Sequence, residues 1–97
     1  MPTYVMLLNW TDQGIRSAKE TITWATAARQ TAQALGARVT ANYWTQGQYD
    51  VVLIVEAPDD ETVSRLALSA GLQGTIRTMT MRAFTEEEMG RILQGLP

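Results

Sequence analysis

The sequence predicts an α+β fold, in which four antiparallel strands and two helices alternate as β-α-β-β-α-β ahead of a short C-terminal helix. Three observations carry that prediction. Two stretches, Thr3 to Trp10 and Val51 to Val55, are apolar at successive positions and therefore apolar on both faces of an extended chain. The segment Trp44-Thr45-Gln46-Gly47-Gln48-Tyr49-Asp50 sets a glycine between aromatic and β-branched residues, the composition of a hairpin whose tight turn needs φ > 0. Finally, Ala25, Ala28, Ala32 and Leu35 in one place, and Val63, Leu66, Ala67 and Ala70 in another, recur at the three- and four-residue spacing of a helical stripe.

Taken in order, the first strand runs from Thr3 to Trp10 and is broken by Thr11-Asp12-Gln13-Gly14, a turn or helix-capping composition. A long helical stretch follows. Thr21 and Thr23 are poor helix formers, which predicts a short first turn and a break or kink near Glu20. The alanine stripe beyond it predicts a helix lying close to the sheet, and Gly36 stops it. Arg38 to Thr45 reads as the second strand and Tyr49 to Ala57 as the third, antiparallel neighbours because their connection is so short. Pro58-Asp59-Asp60-Glu61 opens the next helix with carboxylates in its first turn, and Gly71 to Gly74 closes it. Thr75 to Phe84 is the fourth strand. Thr85 with Glu88 three residues on is a capping box that starts the last helix, through Met89, Ile92 and Leu93.

Composition bounds the function. With 97 residues the chain reads as one domain, 1–97, without repeat, linker or low-complexity segment. The net charge is −2, from 8 basic and 10 acidic residues that are scattered along the chain, so no electrostatic footprint for nucleic acid stands out. There is no cysteine and no histidine, which removes thiolate nucleophiles, disulfides, the usual zinc ligands and the commonest neutral-pH base. No apolar run approaches the ~20 residues of a membrane helix and no leader pattern opens the chain, so the expectation is a soluble cytoplasmic protein without metal or cofactor.

The element order is the split β-α-β arrangement of ferredoxin-like domains, with the first and third strands central. Tyr4, Met6 and Leu8 then oppose Val5 and Leu7 across the sheet, and Val51, Leu53 and Val55 oppose Val52 and Ile54. Two helices cover one face only. Burying an aliphatic side chain is worth roughly 1.5–3 kcal/mol, so the second face predicts self-association: two sheets packed about a two-fold axis as a dimeric α+β barrel. The competing arrangement folds the C-terminal helix back over that face.

Nearly the whole chain resembles the GYD family of small bacterial and archaeal proteins. The likeness rests on the opening from Met1 to Asn9-Trp10, Tyr43-Trp44-Thr45, Gly47-Gln48-Tyr49-Asp50, Glu56-Ala57-Pro58-Asp59-Asp60, and Arg77-Thr78 leading to Arg82-Ala83-Phe84-Thr85. From Gly47 to Phe84 the chain is also similar, more loosely, to the effector-sensing domain of Lrp/AsnC regulators, although no DNA-binding helix-turn-helix precedes it. The first resemblance implies a homo-oligomeric domain of largely unassigned activity. The second implies binding of small molecules between subunits.

Two groups of residues are candidates for a ligand site. By topology, Trp44, Tyr49, Asp50 and Arg82 are expected at one edge of the sheet, with Arg82 pairing an anionic group and the rings forming a wall; alternatively Asp50 bonds backbone beside the hairpin and Tyr49 packs. Asn9 and Trp10 are expected near Glu56, Arg38 and Arg77 at the opposite edge, as a ligand cleft or as a plain ion pair under a tryptophan lid. Catalysis would need Asp50 or Glu56 as a buried base with Tyr43 or Tyr49 as proton donor, the chemistry of a small cofactor-independent oxygenase or isomerase. Met79 and Met81 read as core or interface filler. The sequence thus points to a small-molecule-binding or assembly module that partners itself, with the cofactor-free enzyme as its rival.

Overall fold

The computed structural model describes residues 1–97 and has the expected element order. β1 (Thr3–Trp10) ends at Thr11, whose hydroxyl accepts from Gly14 N at 3.1 Å and caps α1 (Asp12–Arg16). A 3-10 turn, Ala18–Glu20, separates α1 from α2 (Thr21–Ala34), so the break falls near Glu20 as expected, just before the threonines, which themselves lie within α2. Gly36, at φ 83°, ends α2 as a Schellman motif: Ala37 N donates to Ala32 O at 2.8 Å and Gly36 N to Gln33 O at 3.1 Å.

β2 (Arg38–Trp44) and β3 (Val51–Glu56) pair antiparallel, each shorter than the sequence predicts because Thr45, Tyr49 and Asp50 next to the turn, and Ala57 at the far end of β3, lie outside the ladder. Gly47 takes φ 136° in that turn, which Thr45 closes by donating from N to Asp50 O at 2.9 Å and from Oγ1 to Tyr49 O at 2.5 Å. α3 (Asp60–Gly71) starts at Asp59, whose carboxylate accepts from Thr62 N at 2.8 Å and Thr62 Oγ1 at 2.7 Å. β4 (Ile76–Ala83) leads to α4 (Glu86–Gln94), opened by the complete Thr85–Glu88 capping box.

The strands form one antiparallel sheet in the order β2-β3-β1-β4, with β1 and β3 central. Its helix-side face is the core: Tyr4, Met6, Leu8, Val51, Leu53 and Val55 are buried there together with Val63 and Leu66 of α3. Tyr4 carries its hydroxyl to the start of α3, donating to Asp60 Oδ1 at 2.5 Å. The alanine stripe of α2 behaves differently from its expectation. Ala32 is fully buried, whereas Ala25 and Ala28 are half-buried and border open volume, because a methyl group is too short to fill the space above the sheet.

The second sheet face is bare. Val5, Leu7, Val52 and Ile54 are only half-buried on the central strands, and their cross-strand partners Tyr43, Met79 and Met81 are 63%, 51% and 44% exposed. α4 does not fold over this face to form a core: it contains no buried residue, and Met89, Ile92 and Leu93 stay 41–56% exposed. No helix is long and apolar enough to cross a membrane.

Candidate functional site

Antiparallel pairing decides which candidate residues meet, and it exchanges the two arginines. β1 and β3 run in opposite directions, as do β1 and β4, so the end of β1 lies beside the start of both β3 and β4. Leu8 is opposite Val51 and Thr78, Asn9 is opposite Arg77, and Trp10 is opposite Ile76. Asn9, Trp10, Trp44, Tyr49, Asp50 and Arg77 therefore gather at one end of the sheet. Arg82 does not join Tyr49 and Asp50. It sits opposite Tyr4 at the other end, as does Glu56, which is opposite Thr3 and Arg38. The expected grouping of Asn9 and Trp10 with Glu56 and Arg38 fails for the same reason.

Most of these polar groups already have structural partners. Asp50 accepts from Trp10 N at 2.9 Å and so ties the hairpin to the end of β1. Tyr49 lies toward the bare face, its hydroxyl 3.6 Å from the Met79 sulfur. Glu56 pairs with Arg38 at 2.5 Å, and that guanidinium holds its carboxyl below the usual range. Arg82 spans the Phe84 ring, 4.5 Å from its centroid, donates to Thr3 O at 3.2 Å and to Ala83 O, and pairs with Glu88 at 3.2 Å. Glu88 is lowered chiefly by the Thr85 backbone N–H, with Arg82 adding to it. Tyr4 is raised, first by its hydrogen bond to Asp60 and then by burial. The carboxylates are engaged as braces and caps, and no group of three acidic residues is placed to hold a metal.

Open volume lies elsewhere at the same end of the molecule. Between α2, α3 and the helix-side face is a cavity of about 440 Å³. Met6, Leu8, Val51, Leu53, Leu66 and Ile76 form its apolar floor and sides, and Ala25 and Ala28 leave it unfilled from above. All three tryptophans of the chain, Trp10, Trp24 and Trp44, line it. Trp44 Nε1 donates to Thr21 Oγ1 at 2.9 Å. Trp10 Nε1 and Asn42 Oδ1, both in the lining, are shut off from solvent without any hydrogen-bond partner. Leaving such a group unsatisfied costs about 1–3 kcal/mol. Trp24 and Asn42 escaped the sequence reading. Trp24 had a signal, since it stands four residues before Ala28 and eight before Ala32, on the same side of α2 as the alanine stripe, whereas the facing of Asn42 depends on a strand register that a bulge shifts.

Comparison with known proteins places this geometry among relatives. A "Glutamine synthetase and cystathionine beta-lyase binding protein" of Thermus thermophilus is 36% identical over 84 residues, covering 86% of this chain and 88% of that protein. Among solved structures, MtbAldR superposes with a TM-score of 0.68 at 15% identity, covering 88% of this chain and 54% of that one. TTHA0845, also from Thermus thermophilus, superposes with a TM-score of 0.55 at 24% identity, covering 88% of this chain and 95% of that one. Both likenesses show the ferredoxin-like α+β fold. The model of the GYD domain matches residues 4–93, and the chain belongs to the GYD domain family.

Proposed function

We propose that this protein is a self-associating binding module that acts by docking to other proteins, without a reaction of its own. The observation that carries the reading is the bare sheet face. Val5, Leu7, Val52 and Ile54, with Met79 and Met81 beside them, form a continuous apolar surface that no helix of the chain covers. A second copy matches that surface in chemistry, and a two-fold axis lets each sheet cover the other. The name of the Thermus relative supports the docking half of the reading, and glutamine synthetase or cystathionine β-lyase of the same host are the partners to try. The rival reading, a cofactor-free enzyme, would need Asp50 or Glu56 free to take a proton. Asp50 instead holds the Trp10 N–H and Glu56 holds Arg38.

The test is sedimentation velocity at micromolar concentration on the wild type and on a variant carrying Met79→Lys and Met81→Lys. These side chains are half-exposed in the single chain, so their replacement leaves the core intact. The expected result is a dimer or a multiple of dimers for the wild type and a monomer for the variant. A monodisperse wild-type monomer overturns the proposal.

A further inference from the structure

We propose that the cavity beneath α2 is a binding site for a small flat aromatic molecule bearing one negative charge. The site is separate from the bare sheet face and does not depend on how that face is used. Its volume, about 440 Å³, lies within the roughly 300–1,000 Å³ typical of small-molecule sites. Ordinary cores contain few voids larger than a water molecule, so an opening of this size beside the core of a 97-residue chain leaves room for a ligand.

The walls specify that occupant. Trp10, Trp24 and Trp44 present indole surface, which packs best against another flat ring system by offset stacking or edge-to-face contact. Among the lining residues there is no aspartate or glutamate, and the one charged residue is Arg29. Arg29 forms no ion pair: its guanidinium reaches only Thr26 Oγ1, at 3.3 Å. A cationic ligand would find no counter-charge here, whereas a carboxylate or sulfonate at the mouth would find Arg29. Among the lining residues, Trp10 Nε1 is a donor and Asn42 Oδ1 an acceptor that are buried without a hydrogen-bond partner. Gln13 and Gln73 add polar atoms to the lining.

The probe is 8-anilinonaphthalene-1-sulfonate, an aromatic monoanion built on a flat naphthalene, compared with its uncharged parent N-phenyl-1-naphthylamine. Binding is followed by quenching of tryptophan emission and energy transfer to the probe, with sites per chain counted by calorimetry. One saturable site per chain is expected for the sulfonate. Filling the cavity by Ala28→Leu, or separately Ala25→Leu, is expected to weaken it by about tenfold or more, the cost of overpacking a site that must still admit a ring. Arg29→Gln is expected to weaken the sulfonate by about fivefold, the scale of an exposed ion pair, and to leave the uncharged parent unchanged. Circular dichroism on each variant separates loss of the site from loss of the fold. The proposal is overturned if both filling variants stay folded and bind as the wild type does, or if no saturable site is found. It is equally overturned if Met79→Lys with Met81→Lys abolishes the signal, since the probe would then be reporting the sheet face.

Discussion

Gly14 shows how one residue can fix the joint between two distant segments. A Cβ built on it would lie 1.9 Å from Thr75 O, a backbone atom with no freedom to swing aside. Around that contact Thr11 N donates to Thr75 O at 3.0 Å and Thr11 Oγ1 to Gly74 O at 2.7 Å, so α1 is clamped to the loop before β4. Gly14→Ala gains about 1 kcal/mol of helix propensity but forces an overlap costing about 1–3 kcal/mol or more. Net destabilisation is expected, read as a lowered urea midpoint with unchanged slope. This close approach was not legible in the sequence, where Gly14 reads simply as part of the turn or helix-capping composition that ends the first strand. Asp50 was legible as an acceptor of a backbone hydrogen bond, but its donor is Trp10 N at the end of β1 and not the hairpin's own backbone, a partner set by strand pairing that local turn chemistry does not reveal. Its grouping with Arg82 failed because one strand end was matched to the wrong end of its antiparallel neighbour.

At the scale of elements, the local signals were the most readable. Thr21 and Thr23 predicted the break before α2, Asp59 opened α3, and Thr85 with Glu88 capped α4, each through short-range effects that depend on little else. Packing was less readable. The stripe Ala25, Ala28, Ala32 correctly marks the inward side of α2, but periodicity cannot say whether small side chains bring a helix closer or leave a gap beneath it. The caps and braces also set the acid limb of stability. Glu56, Asp59 and Glu88 are all held below the ordinary carboxylate range, by Arg38, by the Thr62 hydroxyl and backbone, and by the Thr85 backbone with Arg82. A carboxyl lowered in the folded state contributes stability that is fully present above its unfolded value and is lost as pH falls through the folded one. The unfolding midpoint is therefore expected to hold near neutrality and to fall below about pH 4. Thermal scans of Glu88→Gln should show a shallower acid limb than the wild type. An identical limb would remove Glu88 from this account.

For the whole molecule, the fold follows from two patterns, each present twice along the chain. Two central strands apolar on both faces require a sheet covered on both sides, and two stripes provide helices for only one of them. The chain therefore ends folding with apolar surface still in water, on the sheet and around α4, where Ile92 on the helix and Phe84 and Leu96 flanking it remain 42%, 47% and 63% exposed. If a second copy covers the sheet, part of the stability belongs to the assembly and obeys mass action. The thermal midpoint of the wild type is then expected to rise with protein concentration. Each tenfold increase contributes about 1.4 kcal/mol to the dimer relative to its unfolded chains, which for a domain of this size shifts the midpoint by several degrees. The variant with Met79→Lys and Met81→Lys should unfold at one temperature whatever its concentration, lower than the wild type when both are concentrated. Differential scanning calorimetry over a hundredfold dilution series makes the comparison directly. A wild-type midpoint that does not move would mean that the apolar face is tolerated in water, and the case for sheet-to-sheet pairing would fall with it.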